Sequence, residues 1–351
     1  MASYRRLPSR LWQATVRLPD GRRITRTDPL KAVVTAWAKE TETAAHRGEY
    51  TEPTRRALTV GQWQAEWSAG RVVEPETGRR DRSSWENHLQ ATFADVPLRQ
   101  LGRAQVATWV RARLDAGARP VATAKALDYL KVLLEGAVIE GVVSANAART
   151  VSPPPTREKL PDWFSHAEVD ALCAAMRHHP DQVMTRLMCW AGLRWGEAAG
   201  LRVRDIDALR SVVHVRRAMS QVDGIKEWPK TKSSVREVPI PGWLGEQISV
   251  LVDGRGDDDL VFTTRRQARP LSGANWRVMF EAAKSAAGIR HGTPHTCRHT
   301  AASWLVQAGV PLLEVARQLG HSSIQMTIRY AHLAPDNHAA VTSAWSTMTH
   351  Q

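Results

Sequence analysis

The chain has 351 residues, more than one ordinary domain, and its 43% hydrophobic content supplies buried cores, which excludes a globally disordered polypeptide. Its 48 Lys and Arg against 35 Asp and Glu give a net charge of +13, the balance of a protein that meets a polyanion, nucleic acid first. Three cysteines with no Cys-x-x-Cys pair, no apolar signal segment and no bilayer-length apolar run argue against a disulfide framework, a zinc site and a membrane partner, and predict a cytoplasmic protein.

The first segment is the most basic per residue: 1–56 holds 12 Lys/Arg against 6 Asp/Glu, 57–157 holds 13 against 10, and 158–351 holds 23 against 19. Trp12, Ala14, Val16 and Leu18 alternate with polar residues up to a Pro19-Asp20-Gly21 turn, and an extended pattern resumes over 22–26. This predicts a β-hairpin. A helix over 29–47 follows, with Asp28 as N-cap, Pro29 at its first position and Trp37 facing inward. Arg17, Arg22, Arg23 and Arg26 fall on this hairpin, where a sheet face could lie against DNA. The competing reading is a hairpin that only packs on its neighbour.

Residues 57–150 read as all-helical, with helices over 59–69, 81–93, 102–117 and 120–140. The run 151–157, with Pro153, Pro154 and Pro155, is the clearest linker. Beyond it, Ser165 and Glu168 form a capping box. A long apolar helical region spans 184–201, and three short strands over 212–217, 224–228 and 235–240 form a meander. Helices return at 242–252, 273–288, 295–308, 311–319 and 323–330. The fold class is mainly α with small β-sheets, in several domains.

The chemistry gathers late in the chain. His295 and Arg298 are three apart on a predicted helix and share one face. A guanidinium holds two non-bridging phosphate oxygens through paired N–H bonds, which an ammonium cannot match. Arg194, in Gly192-Leu193-Arg194-Trp195-Gly196-Glu197, supplies a second guanidinium. Two arginines on one phosphate would neutralise the charge of a five-coordinate phosphorane. Tyr330 is the candidate nucleophile; its pKa of about 10 demands a base and a cationic setting, which His295 and the arginines could provide. His321, beside Gly320, could bond a non-bridging oxygen. Lys230 or Lys232, at the turn between two predicted strands, could protonate a leaving 5′ oxygen. Taken singly, each of these residues fits an ordinary structural role; the ordered set is what points to phosphoryl chemistry. The acidic run Asp257-Asp258-Asp259 reads as a solvated turn rather than a metal site.

With these motifs in order, the chain resembles the tyrosine recombinases of the phage or mobile-element integrase type. The resemblance is strongest over 160–332 and extends to the whole chain. It rests on Ala191-Gly192-Leu193-Arg194-Trp195-Gly196-Glu197, on His295-Thr296-Cys297-Arg298-His299, on Leu319-Gly320-His321 and on Arg329-Tyr330, with Lys230 in Pro-Lys-Thr and Lys232 as its alternative. The resemblance implies a site-specific recombinase in which Tyr330 forms a 3′-phosphotyrosine link and a freed 5′-hydroxyl of another strand resolves it, without metal or high-energy cofactor. It implies double-stranded attachment-site DNA as partner and a homotetramer on that DNA, in the nucleoid. The family often adds a directionality factor and a DNA-bending host protein. Residues 1–56 would then be an arm-type DNA-binding domain with a third strand at 3–7, and 57–150 a helical core-binding clamp. Residues 158–351 would be the catalytic domain, ending in a trans-docking tail. Glu197 would orient Arg194 or cap locally, and His299 reads as structural. A type IB topoisomerase-like enzyme shares the chemistry; the arm-type segment favours the recombinase.

Overall fold

The computed structural model describes residues 2–19, 21–47, 57–155, 160–220, 224–227, 235–264, 269–335, 342 and 345–346. The chain divides into two compact units, Met1–Arg157 and Glu158–Gln351.

In the first unit, β1 (Ser3–Arg6), β2 (Trp12–Arg17) and β3 (Arg23–Asp28) form an antiparallel sheet in that order. Helix α1 (Lys31–His46) packs on it, so that Ala14, Val16, Val34 and Ala38 make a small core with Trp12, Ile24 and Trp37 at its margin. The helix starts two residues later than the sequence predicts. Asp28 ends β3, and its carboxylate accepts the Leu30 N–H at 2.9 Å, an Asx turn in place of a helix cap.

The helical part of this unit holds α2 (Val60–Gly70), α3 (Pro75–Ser84), a π turn (Trp85–Leu89), α4 (Gln90–Phe93), α5 (Arg103–Asp115) and α6 (Pro120–Ile139). Thr59 caps α2 in a reciprocal box with Gln62. The segment expected to turn helical at 81 does so at Pro75, because proline fits the first helical turn. The core is built from Trp63, Leu89, Phe93, Trp109, Leu127, Leu130 and Leu133; the Trp63 indole donates to the Leu133 carbonyl at 2.9 Å, which satisfies its only polar atom.

The second unit opens with α7 (His166–Ala175), capped by the Ser165–Glu168 box, and α8 (His179–Ala191). The apolar stretch expected as one helical region over 184–201 is broken. Gly192 takes a left-handed conformation (φ 69°) that ends α8, Leu193-Arg194 runs extended, and α9 (Trp195–Ala199) starts anew. A side chain at Gly192 would meet Leu319 at 2.3 Å, and one at Gly196 would meet the Met219 carbonyl at 2.5 Å, so both glycines allow close packing.

The expected three-stranded meander is two sheets. One orders β4 (Ile206–Asp207), β5 (Val212–Val215) and β8 (Arg236–Pro239); the other pairs β6 (Ala218–Ser220) with β7 (Gly224–Lys226). The predicted strand 212–217 splits at Arg216-Arg217. The Arg217 side chain turns inward, bonds Asp205 and reaches Glu227 at 3.1 Å. Helices α10 (Gly242–Val252), α11 (Gly273–Ala286), α12 (Thr296–Gln307), α13 (Leu312–Leu319) and α14 (Gln325–Ile328) complete the unit. Helix α12 packs on α8 and α13, which brings the 191–197 and 295–330 motifs together.

Candidate active site

Arg298 is the anchor of the site. It lies in the first turn of α12 and is 3% exposed. One guanidinium nitrogen donates to the Gly192 carbonyl at 2.8 Å and the other to the Leu319 carbonyl at 2.5 Å. Those carbonyls stand at the C-terminal ends of α8 and α13, where helix dipoles favour a cation. Both ends depend on glycine. Gly320 is left-handed (φ 65°), and the Gly320 and His321 N–H groups donate back to Arg317 and Ala316 in a Schellman turn. That turn frees the Leu319 carbonyl for Arg298 and delivers His321 beside it. Two of the five guanidinium donors are so used; the rest stay free of these two bonds.

Glu197 is the counter-charge. Its carboxylate accepts the Arg194 N–H at 2.9 Å, capping α9, and the Arg194 guanidinium at 2.7 Å. Arg236 at the start of β8 adds bonds of 2.9 and 3.3 Å to the two Glu197 oxygens, and Arg298 stands 4.0 Å away. Burial pushes the Glu197 carboxyl upward, but Arg236 and Arg194 outweigh it and hold the pKa below the usual value. Burial and the neighbouring Arg194 push Arg298 down to about 9, with Glu197 opposing. Both groups therefore stay charged near neutral pH. Arg194 keeps its side chain 38% exposed, the open member of the pair.

Tyr330 is buried, 2% exposed, against Ala301, Ala302, Val306, Val315 and Leu319. Its hydroxyl shares a hydrogen bond with Nδ1 of His299. The sequence suggests His295 as a base and a structural role for His299; in this structure the ring bonded to the tyrosine hydroxyl is that of His299. His295 caps α12 and lies edge-on to His299, ring centres 4.8 Å apart, so it reaches the tyrosine only through that second ring. His321 shares a 2.7 Å bond with Thr327 Oγ1, which fixes its ring.

Of the other expected residues, Lys230 and Lys232 lie outside the described residues. The expected trans-docking tail after 335 does too, apart from Thr342, Trp345 and Ser346. Arg17 and Arg23 face each other in register on the sheet surface turned away from the small core. Arg26 pairs with Ala14 and so takes the opposite face, and Arg22 sits in the turn. The four arginines do not form one stripe.

Residues 162–337 match the phage integrase family. The chain belongs to the phage integrase family. This integrase is 28% identical over 344 residues to the putative prophage phiRv2 integrase of Mycobacterium tuberculosis, which covers 94% of this chain and 91% of that protein. It is 29% identical to tyrosine recombinase XerD of Corynebacterium glutamicum over 74% of this chain and 87% of the relative. Its fold is similar to that of the Tn1549 transposon integrase bound to circular intermediate DNA, at a TM-score of 0.68, 20% identity, 83% of this chain and 99% of that one. A lambda integrase dimer on a core site gives 0.62 at 15% identity, over 94% and 96%. The integrase is a tyrosine-type site-specific recombinase.

The site imidazoles His295, His299 and His321 are held toward the neutral form. Burial and nearby charges (His295 and Arg329 for His299, Arg298 and Arg194 for His321) push both pKa values to about 4. His295 has an open edge, yet protein on its other sides and the Arg298 and Arg194 charges also lower its value. Imidazole NMR of the DNA-free protein should show His299 and His321 titrating near 4, against about 6.5 for a free histidine. The sign for stability follows from the unfolded chain binding these protons more readily. Stability is full above about 6.5 and drains as pH falls toward 4, which thermal melts across that window would read. A duplex placing a phosphate in the site should raise both pKa values. Midpoints unchanged by DNA would contradict this arrangement.

Proposed function

We propose that Tyr330 attacks a scissile DNA phosphodiester to form a 3′-phosphotyrosine and release a 5′-hydroxyl, while Arg194 and Arg298 hold the non-bridging oxygens. The observation that carries this reading is the Arg298 guanidinium. It is buried, bonded to two helix ends, set beside Glu197 and Arg194, and contributed by the helix that also carries His299 to Tyr330. A guanidinium so constrained costs no reorganisation as phosphorane charge develops. His321 and His295 bond or orient the phosphate, and Lys230 or Lys232 gives the leaving oxygen its proton. The 5′-hydroxyl of a partner duplex then attacks the phosphotyrosine. Bond energy is conserved, and the element is integrated or excised.

In the DNA-free chain burial raises the Tyr330 pKa, against the pull of Arg329 and Arg298. His299, with its own value near 4, is too weak a base to remove that proton. The pair therefore holds the tyrosine protonated in the DNA-free chain; an entering phosphate raises the His299 value, which makes His299 the better acceptor for the Tyr330 proton as the oxygen attacks phosphorus.

The lambda integrase structures include a dimer on a core site and a tetramer on a Holliday junction. We extend that organisation to this chain. A homotetramer acts on double-stranded attachment sites, with 57–150 as the core-binding clamp, 158–351 as the catalytic domain, and 1–56 as the arm-binding domain through Arg17 and Arg23. A directionality factor and a DNA-bending protein would complete the assembly. The test uses a nicked core-site duplex from the DNA flanking the coding sequence, which traps the covalent adduct. With EDTA present the adduct should form undiminished and map to the Tyr330 peptide; an adduct on another residue refutes the reading. Deleting 1–56 should leave core-site cleavage near wild type and suppress recombination between full attachment sites; equal loss in both would refute the arm assignment.

A further inference from the structure

Arg236 belongs to none of the motifs that point to the reaction, yet it is tied to all of them. It opens β8, where its backbone pairs with Val215 of β5, and its side chain is 7% exposed. Two guanidinium nitrogens bond the two Glu197 oxygens at 2.9 and 3.3 Å, and Nε donates to the Gln318 carbonyl at 2.8 Å. Gln318 precedes Leu319, whose carbonyl holds Arg298, and His321 follows two residues later. One side chain thus joins the start of β8, the Arg194–Glu197 cap and the end of α13.

The charge count gives this a function. Arg194 and Arg298 repel each other, and Glu197 between them relieves that repulsion. Glu197 alone would also cancel one of the two positive charges meant for the phosphate. Arg236 balances the carboxylate, so three guanidinium groups and one carboxylate leave the site doubly positive. A phosphodiester attacked by a tyrosinate passes through a doubly negative phosphorane, which that excess matches. Arg236 is too enclosed to reach the DNA, so it acts through Glu197.

We propose that Arg236 is a positioning residue: it fixes Glu197 and balances its charge, so that Arg194 and Arg298 are both aligned and fully available to the scissile phosphate. The proposal rests on the reading of Arg194 and Arg298 as the phosphate-neutralising pair. A lysine cannot replace it fully, because one ammonium does not supply the planar fork that meets both Glu197 oxygens and a carbonyl.

The experiment compares full-length wild type, Arg236→Gln and Arg236→Lys on two nicked core-site duplexes. One carries the natural phosphodiester. The other carries a methylphosphonate at the scissile position, which removes one negative charge from both ground state and phosphorane. First-turnover adduct formation by Arg236→Gln should fall about 100-fold on the phosphodiester, the scale of a catalytic group displaced by an ångström. On the methylphosphonate most of that loss should vanish, with core-site binding comparable throughout. Arg236→Lys should show the same pattern with smaller amplitude, and it carries the test if the glutamine variant does not fold. Equal losses on both duplexes, or no loss on the phosphodiester, would overturn the proposal. Failure of wild type to form a Tyr330 adduct would instead overturn the reading beneath it.

Discussion

Tyr330→Phe should bind core-site DNA with near wild-type affinity and form no covalent adduct on a nicked duplex. The substitution removes one oxygen, the only atom of that side chain able to attack phosphorus. Binding survives because phosphate contacts spread across the protein set affinity and register. The stability cost is confined to the bond between Tyr330 and His299, about 0.5–1.5 kcal/mol net for one such hydrogen bond. The phenyl ring keeps its packing against Ala302, Val315 and Leu319. Gel mobility separates the covalent from the non-covalent complex, and a thermal melt reads the fold. An adduct that persists in the phenylalanine variant would remove Tyr330 from the mechanism. Loss of the adduct together with loss of binding would mean that the substitution damages the fold instead.

Much of the fold was legible in the sequence because its local signals were strong. The capping box at Ser165, the Pro120 helix start and the alternation across β2 all form as patterned. Where expectation and structure part, a non-local contact decides. The helix expected across 184–201 breaks because Gly192 must let Leu319 approach and turn its own carbonyl to Arg298, a residue 106 positions away. The predicted strand 212–217 splits because Arg217 turns inward to Asp205 and Glu227. No periodicity carries such information. The same holds within the site. Arg194, His295, Arg298, His321 and Tyr330 are conspicuous as an ordered set. His299 and Arg236 are not, because their roles lie in a bond to Tyr330 and a clamp on Glu197 that exist only once the chain has folded. One signal was available for Arg236: a charged residue opening a strand whose Val238 is fully buried, close behind Lys230 and Lys232 in the sequence.

Arg194 and Arg298, the proposed phosphate-holding pair, should separate cleanly when each is replaced by alanine. Both variants should lose adduct formation by about 10²–10³-fold or more, the cost of removing one preorganised donor from a developing oxyanion. Their stabilities should differ. Arg194 is 38% exposed, and Glu197 keeps Arg236 when Arg194 is gone, so Arg194→Ala should melt close to wild type. Arg298 is buried and is the donor to the Gly192 and Leu319 carbonyls. Arg298→Ala leaves both facing a cavity, at a cost of about 1–3 kcal/mol for each group left unsatisfied. The loss should loosen the Gly320 turn and so the placement of His321, which the bond to Leu319 helps to fix. Hydrogen exchange at the 316–321 amides should then rise in Arg298→Ala and stay unchanged in Arg194→Ala. If both variants cleaved normally, the phosphate grip would have to lie elsewhere. If both were inactive but Arg298→Ala melted and exchanged like wild type, the two carbonyl bonds would be dispensable. Arg298 would then serve the phosphate alone rather than holding together the helix ends that form the site.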